Sequence, residues 1–138
     1  MRRGSMNAIG LAAVASLGVT GVAAAQTTAP FIRQTAYIKA SNPQMGAHFG
    51  SGGTLLGDSV AISSNGLTLA VGAPDEGSAS KGINGNQNDT SMSGAGAVYV
   101  FTRPNAGGAW TQQAYLKASN PGMGDAFGHI VALSADGN

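Results

Sequence analysis

The chain repeats itself, and a repeat limits the fold to architectures built from copies of one supersecondary unit. Gln34-Thr-Ala-Tyr-Ile-Lys-Ala-Ser-Asn-Pro-Gln-Met-Gly-Ala-His-Phe-Gly50 returns as Gln112-Gln-Ala-Tyr-Leu-Lys-Ala-Ser-Asn-Pro-Gly-Met-Gly-Asp-Ala-Phe-Gly128, with twelve of seventeen positions identical at an offset of 78. The similarity resumes at an offset of 71, where Gly57-Asp-Ser-Val-Ala-Ile-Ser-Ser-Asn-Gly66 aligns with Gly128-His-Ile-Val-Ala-Leu-Ser-Ala-Asp-Gly137. The first copy therefore carries seven extra residues within Gly50 to Leu56. A period near 71 residues is long for a helical solenoid and suits a unit of four strands.

Local patterns agree. Ser59-Val-Ala-Ile-Ser63 and Thr68-Leu-Ala-Val-Gly72 flank Asn65-Gly66, a strong hairpin signal because both residues tolerate positive φ. Ala97-Val-Tyr-Val-Phe101 is apolar on both faces, as in a strand packed between two layers. Trp110 to Lys117 alternates more loosely and reads as an outer strand. Further strands are expected over Gln34 to Lys39 and His129 to Ser134, by equivalence with the other copy. Asp75 to Gly96, rich in Gly, Ser and Asn, reads as a long surface loop. No helical periodicity stands out after residue 25.

Phe49-Gly50, Phe127-Gly128, Val71-Gly72-Ala73-Pro74 and Gly96-Ala-Val-Tyr-Val-Phe101 together resemble the FG-GAP repeat, which builds integrin-α-type β-propellers and many secreted bacterial proteins. The resemblance covers Phe31 to Asn138. It implies an all-β chain of four-stranded antiparallel propeller blades. The expected layout is one full blade at about 49–118 and a partial second repeat at 119–138, within a repeat region at 26–138. About one blade with flanking strands falls short of the roughly four to eight that close a propeller, so further blades or self-association are expected.

The first 25 residues read as an address. Arg2 and Arg3 precede an uncharged run from Ala8 to Val22, and Ala23-Ala24-Ala25 supplies a small-residue cleavage site before Gln26. The apolar run, about fifteen residues, is short of the roughly 20 that span a bilayer, so no stable membrane anchor is expected. The chain is expected to be secreted, periplasmic or held at the cell surface. Removing residues 1–25 leaves five basic against six acidic residues. Charged residues are 9% of the whole chain, which excludes a nucleic-acid-binding patch of useful density. There is no cysteine, so disulfides and thiolate chemistry are excluded as well.

Candidate chemistry is thin. Gly57-Asp58-Ser59-Val60 resembles the opening block of GDSL esterases, but the second copy has Ile130 where a nucleophilic Ser59 stands, and no Asp-x-x-His block exists. Ser78-Ala-Ser-Lys81 spells Ser-x-x-Lys without the companion boxes of penicillin-recognising enzymes. His48 and His129 are not repeat equivalents, and two such histidines make neither a metal pair nor a general base by themselves. The family's calcium loop would fall between the first two strands, where Ser64-Asn65-Gly66-Leu67 lacks the carboxylates. Asn84-Gly-Asn-Gln-Asn-Asp89 is a second calcium candidate, with one carboxylate in the loop, Asp89, and with Asp75 and Glu76 as acids whose place the sequence does not fix. Asn88-Asp89-Thr90 matches the N-glycosylation sequon.

No residue receives a catalytic, cofactor-binding or metal-binding role. The expected function is a non-enzymatic exported scaffold, adhesion-like, that binds an extracellular protein or glycan through its long loops. The alternatives are an accessory module of a secreted hydrolase or lyase whose catalytic part lies outside this chain, and a fragment without activity of its own. Export should cut after Ala25 and leave Gln26 as the N-terminus. Mass spectrometry of the exported protein checks this, and an intact Met1 would refute it.

Overall fold

A computed structural model describes residues 34–51 and 59–137. The signal peptide expected at 1–25, most of the seven-residue insertion, and Gly57 and Asp58 lie outside the described residues. Four strands form one antiparallel sheet: β1 (Val60–Ile62), β2 (Thr68–Ala73), β3 (Ala97–Thr102) and β4 (Thr111–Leu116). They lie in the order β1-β2-β3-β4, each strand beside its sequence neighbour. No helix occurs among the described residues, so none there is long and apolar enough to cross a membrane.

The β1–β2 hairpin forms where Asn65-Gly66 places it, by a different turn from the one the dipeptide suggests. Gly66 takes φ +68° while Asn65 stays at negative φ. The Gly66 N–H donates to the Ser63 carbonyl at 2.8 Å, and Asn65 Oδ1 accepts from the Leu67 N–H at 2.9 Å. A tight turn followed by one left-handed glycine does the work of two positive φ values.

The pleat sorts the core onto one face of the sheet. Leu69, Val71 and Ala73 on β2 stand opposite Phe101, Tyr99 and Ala97 on β3, and Tyr99 stands opposite Tyr115 on β4. Apart from Leu69 these residues with Ala40 make the buried apolar cluster, and Ile38, Phe49, Leu69 and Trp110 pack against it. Phe49 meets Tyr99 edge-on at 5.4 Å between ring centres and Phe101 at 6.3 Å. Edge-to-face pairs of this kind contribute about 0.5–1.5 kcal/mol each beyond the area they bury.

The opposite face receives the second copy. Gly96 forms a parallel bridge with Phe127, and the Ala126 and Phe127 N–H groups donate to the Gly94 and Ala95 carbonyls at 2.9 and 3.1 Å. Approach is close enough that a Cβ on Gly72 would lie 1.8 Å from the Gly128 carbonyl oxygen. The two Phe-Gly segments thus hold the sheet between them.

They do so with the same backbone. Gly46, His48 and Gly50 have φ of +78, +53 and +77°, and their equivalents Gly124, Ala126 and Gly128 have +78, +53 and +86°. Hydrogen bonds match too: Ser51 N–H to the His48 carbonyl at 2.9 Å, and His129 N–H to the Ala126 carbonyl at 3.0 Å. The left-handed conformation costs a non-glycine residue about 1–3 kcal/mol, so His48 and Ala126 adopt it because their surroundings impose it.

Two expectations about elements are corrected. Residues 34–39 and 129–134 are not strands. A strand needs a ladder partner, and the outer edge of β4 is already taken by the long loop: Ile83 bridges Leu116, and the Lys117 N–H donates to the Gly82 carbonyl at 2.8 Å. Residues 129–134 lead instead into a turn that copies the first hairpin, with the Gly137 N–H on the Ser134 carbonyl at 3.1 Å. The segment 75–96 is also less of a surface loop than its composition suggests. Glu76, Gly77 and Ser78 are buried near one end of it and Gly94 to Gly96 at the other.

Gly72→Ala should destabilise the fold by about 1–3 kcal/mol, because the added methyl collides with backbone that has nowhere to move. Gly107→Ala, whose Cβ would meet only Asn105 Oδ1 at 3.7 Å, should leave stability unchanged. Urea midpoints of the two variants, with hydrogen exchange at the Phe127 amide, check the difference.

Candidate functional site

The polar centre of the molecule is Glu76. The β2 strand ends at Ala73-Pro74, and the Glu76 N–H closes a turn on the Ala73 carbonyl at 3.1 Å, which turns its side chain under the core. Its side chain and that of Lys117 are both 0% exposed, and Lys117 Nζ donates to Glu76 Oε2 at 2.8 Å. The Tyr115 hydroxyl donates to the same oxygen at 2.8 Å. Gln44 Nε2 donates to Oε1 at 3.0 Å and Asn42 Nδ2 at 3.4 Å, while the Ser78 N–H reaches both oxygens. A buried carboxylate is stable only when its lone pairs are satisfied, and here charge and neutral donors satisfy them together.

Donors come from both copies of the repeat. Tyr115 and Lys117 belong to the second Tyr-x-Lys-Ala-Ser-Asn-Pro, Asn42 to the first. Tyr99 completes the group, its hydroxyl donating to Asn42 Oδ1. Burial first, then the Glu76 carboxylate, pushes the Tyr99 and Tyr115 phenols well above the ordinary tyrosine range, so both remain donors.

Beside this centre lies a shallow cleft of about 320 Å³ lined by Ser41, Asn42, Pro43, Gln44, Gln87, Asn88 and Thr90. Its lining carries amides and hydroxyls and no charged side chain. A larger cleft of about 530 Å³ runs between Thr35–Lys39 and Gly107–Trp110. Arg103 stacks on Trp110 with its guanidinium carbon 4.6 Å from the ring centre, and its Nε donates to the Gly66 carbonyl at 2.7 Å.

The structure separates the residues that catalysis would need together. Ser59 is 1% exposed and its Oγ has no hydrogen-bond partner among the described residues, so no imidazole among them activates it. Ser78 Oγ donates to the Asn86 carbonyl at 2.8 Å, whereas Lys81 is exposed. His48 Nδ1 contacts Asp75 Oδ2 at the surface, and His129 belongs to the second copy.

The oxygens of the calcium candidate are committed to the chain itself. Asn84 Oδ1 accepts from the Tyr115 N–H at 2.9 Å, and Asn86 Oδ1 from the Asn88 N–H at 3.0 Å. Asp89 accepts from the Ala79 and Ser91 N–H groups at 2.8 and 3.0 Å. Hydrogen bonds from Ser91 and then Ala79 hold its carboxyl below the usual carboxylate range. No cluster of three or more His, Asp or Glu that could hold a metal occurs among the described residues. Loops of this kind use side-chain oxygens to replace missing backbone partners.

Sequence reasoning named Glu76 only as an acid near the calcium candidate and missed its place in the core. The available signal was Lys117, a lysine two residues after the aromatic Tyr115 and so on the same side of the chain. Glu76→Gln should cost about 3–5 kcal/mol, since it strands a buried ammonium. Lys117→Met should cost less, about 1–3 kcal/mol, since the carboxylate keeps four other donating groups. Chemical denaturation of both variants checks the order, and equal or reversed losses would contradict it.

Comparison with protein-family models, curated proteins and solved structures finds no match, so the residues above carry the functional reading by themselves.

Proposed function

We propose that this chain is an exported, non-enzymatic repeat protein of the FG-GAP β-propeller type, acting as a binding scaffold outside the cell. The four-stranded sheet is then one blade, and the Phe-Gly segments are its contacts with the blades on either side. The observation that carries this reading is the shared left-handed backbone of the two Phe-Gly segments on opposite faces of one sheet. A unit held on both faces by segments of the same backbone conformation can be stacked.

Exposed residues support further repeats. Tyr37 and Lys39 are the equivalents of Tyr115 and Lys117, yet Tyr37 is 80% exposed and Lys39 is exposed too. Val60 and Ile62 share the face of the apolar cluster by register and stand open as well. In a larger ring these groups would meet another blade, with Tyr37 and Lys39 closing on its Glu76 equivalent.

The ligand, an extracellular protein or glycan, is read on the uncharged cleft of Ser41, Gln87, Asn88 and Thr90. Amides and hydroxyls exchange hydrogen bonds with sugar hydroxyls in both directions. Saturable binding to immobilised glycans, matrix or envelope fractions is expected, weakened about tenfold by Asn88→Ala with Thr90→Ala, a loss of about 1.4 kcal/mol. Absence of saturable binding, or turnover of ester or glycoside substrates by the protein, would overturn the reading.

A further inference from the structure

Glu76 holds an amine and an amide on one carboxylate. Lys117 Nζ sits on Oε2 at 2.8 Å and Asn42 Nδ2 on Oε1 at 3.4 Å. Both groups therefore meet one carboxylate, and Asn42 Nδ2 also donates to the Gln87 carbonyl, which fixes the amide in the same buried cluster as the amine. Gathering nucleophile and carboxamide in one cluster is what an intramolecular acyl transfer requires. The setting is dry: Lys117 and Glu76 side chains are 0% exposed and Asn42 is 9% exposed, so water is a poor competitor for the amide. On the far side of the amide, the Tyr99 hydroxyl donates to Asn42 Oδ1, where negative charge would develop on attack. Burial and the nearby carboxylate keep that phenol protonated.

We propose that Lys117 and Asn42 join in an intramolecular isopeptide bond, with Glu76 as the proton carrier and Tyr99 as the donor to the oxyanion. Lys117 first passes one proton to Glu76, leaving a neutral amine beside a carboxylic acid. The amine lone pair attacks Asn42 Cγ, the C–N bond forms, and the carbonyl electron pair moves onto Oδ1 under the Tyr99 hydroxyl. A second proton leaves Nζ, and the side-chain amide nitrogen is protonated through Glu76. The Cγ–Nδ2 bond breaks, the carbonyl re-forms, and ammonia departs. Lys117 has then lost two protons: one leaves with ammonia, and the other remains on Glu76 or joins the ammonia as ammonium. No oxidant, metal or cofactor is needed for the balance. Asn42 lines the shallow cleft, which offers ammonia a way out.

The bond would replace a buried ammonium by a neutral amide and tie the first repeat copy to the second. In a chain without cysteine, it supplies the cross-link that a disulfide would otherwise provide. It is a single self-modification and leaves the scaffold reading unchanged.

Denatured intact mass of the purified full chain, with fragment-ion mapping of its peptides, tests the proposal. A deficit of about 17 Da, one ammonia, is expected, located in a branched peptide joining Asn42 to Lys117 and accompanied by loss of trypsin cleavage after Lys117. Mapping is essential because cyclisation of an N-terminal Gln26, or a succinimide at Asn65-Gly66, also releases ammonia. Glu76→Gln, Asn42→Ala and Lys117→Arg should each lack the branched peptide. Folded wild-type protein that yields the Asn42 and Lys117 peptides separately and at full mass overturns the proposal, as does a deficit that maps elsewhere. A branched peptide that persists in Glu76→Gln overturns the role given to Glu76. The wild-type measurement decides even if a variant fails to fold.

Discussion

Glu76 brings a negative charge into an apolar junction, where an unpaired carboxylate would cost several kcal/mol, and three separate stretches of chain supply its donors. Satisfying it draws the 75–96 segment inward, seats the Asn42–Gln44 loop and fixes the end of β4. It also orients Tyr99, which joins the apolar cluster through its ring and the polar group through its hydroxyl. Sheet, loop and first repeat copy meet at one point because each brings a group the carboxylate requires. The network is therefore a positional constraint as much as a stabilising one. Unlike apolar packing, it accepts one register only.

Glycine has a matching part in the packing between the sheet and the second copy. Backbone approaches backbone at Gly72, Gly96 and Gly128, where a single methyl would meet carbonyl oxygen or chain. Such contacts require glycine because they leave no room for a Cβ. Their directionality comes from hydrogen bonds between the Phe-Gly segment and the residues before β3. The strain at His48 and Ala126 is then a consequence of docking, compensated by the bonds and ring contacts on either side.

The polar cleft at Ser41 to Gln44 and Gln87 to Thr90 has its walls built from the same loops that Glu76 ties down, so its shape is inherited from the buried network. A cross-link at Asn42 would secure that wall covalently in a chain that has no thiols.

The repeat was legible in the sequence because identical residues at equivalent positions face identical local demands. Asn65-Gly66 placed a hairpin, alternation located β2 and β4 and a run apolar on both faces located β3, each to within one or two residues, since turn chemistry and strand patterning are local properties. The same equivalence misled at 34–39 and 129–134, where a matching sequence lacks a matching ladder partner among the described residues. The candidate chemistry legible as motifs, around Ser59, Ser78 and Asn84 to Asp89, is scattered or bound to backbone in three dimensions. The role of Glu76 was not legible, since one acid in a Gly/Ser/Asn-rich loop reads as a loose loop carboxylate. Asn42, Glu76 and Lys117 stand dozens of residues apart, and no spacing rule joins them. Sequence by itself determined the unit and its strands, because strand and turn preferences act over a few residues. Tertiary structure alone decided which polar groups meet, because a buried charge selects its partners by position in space.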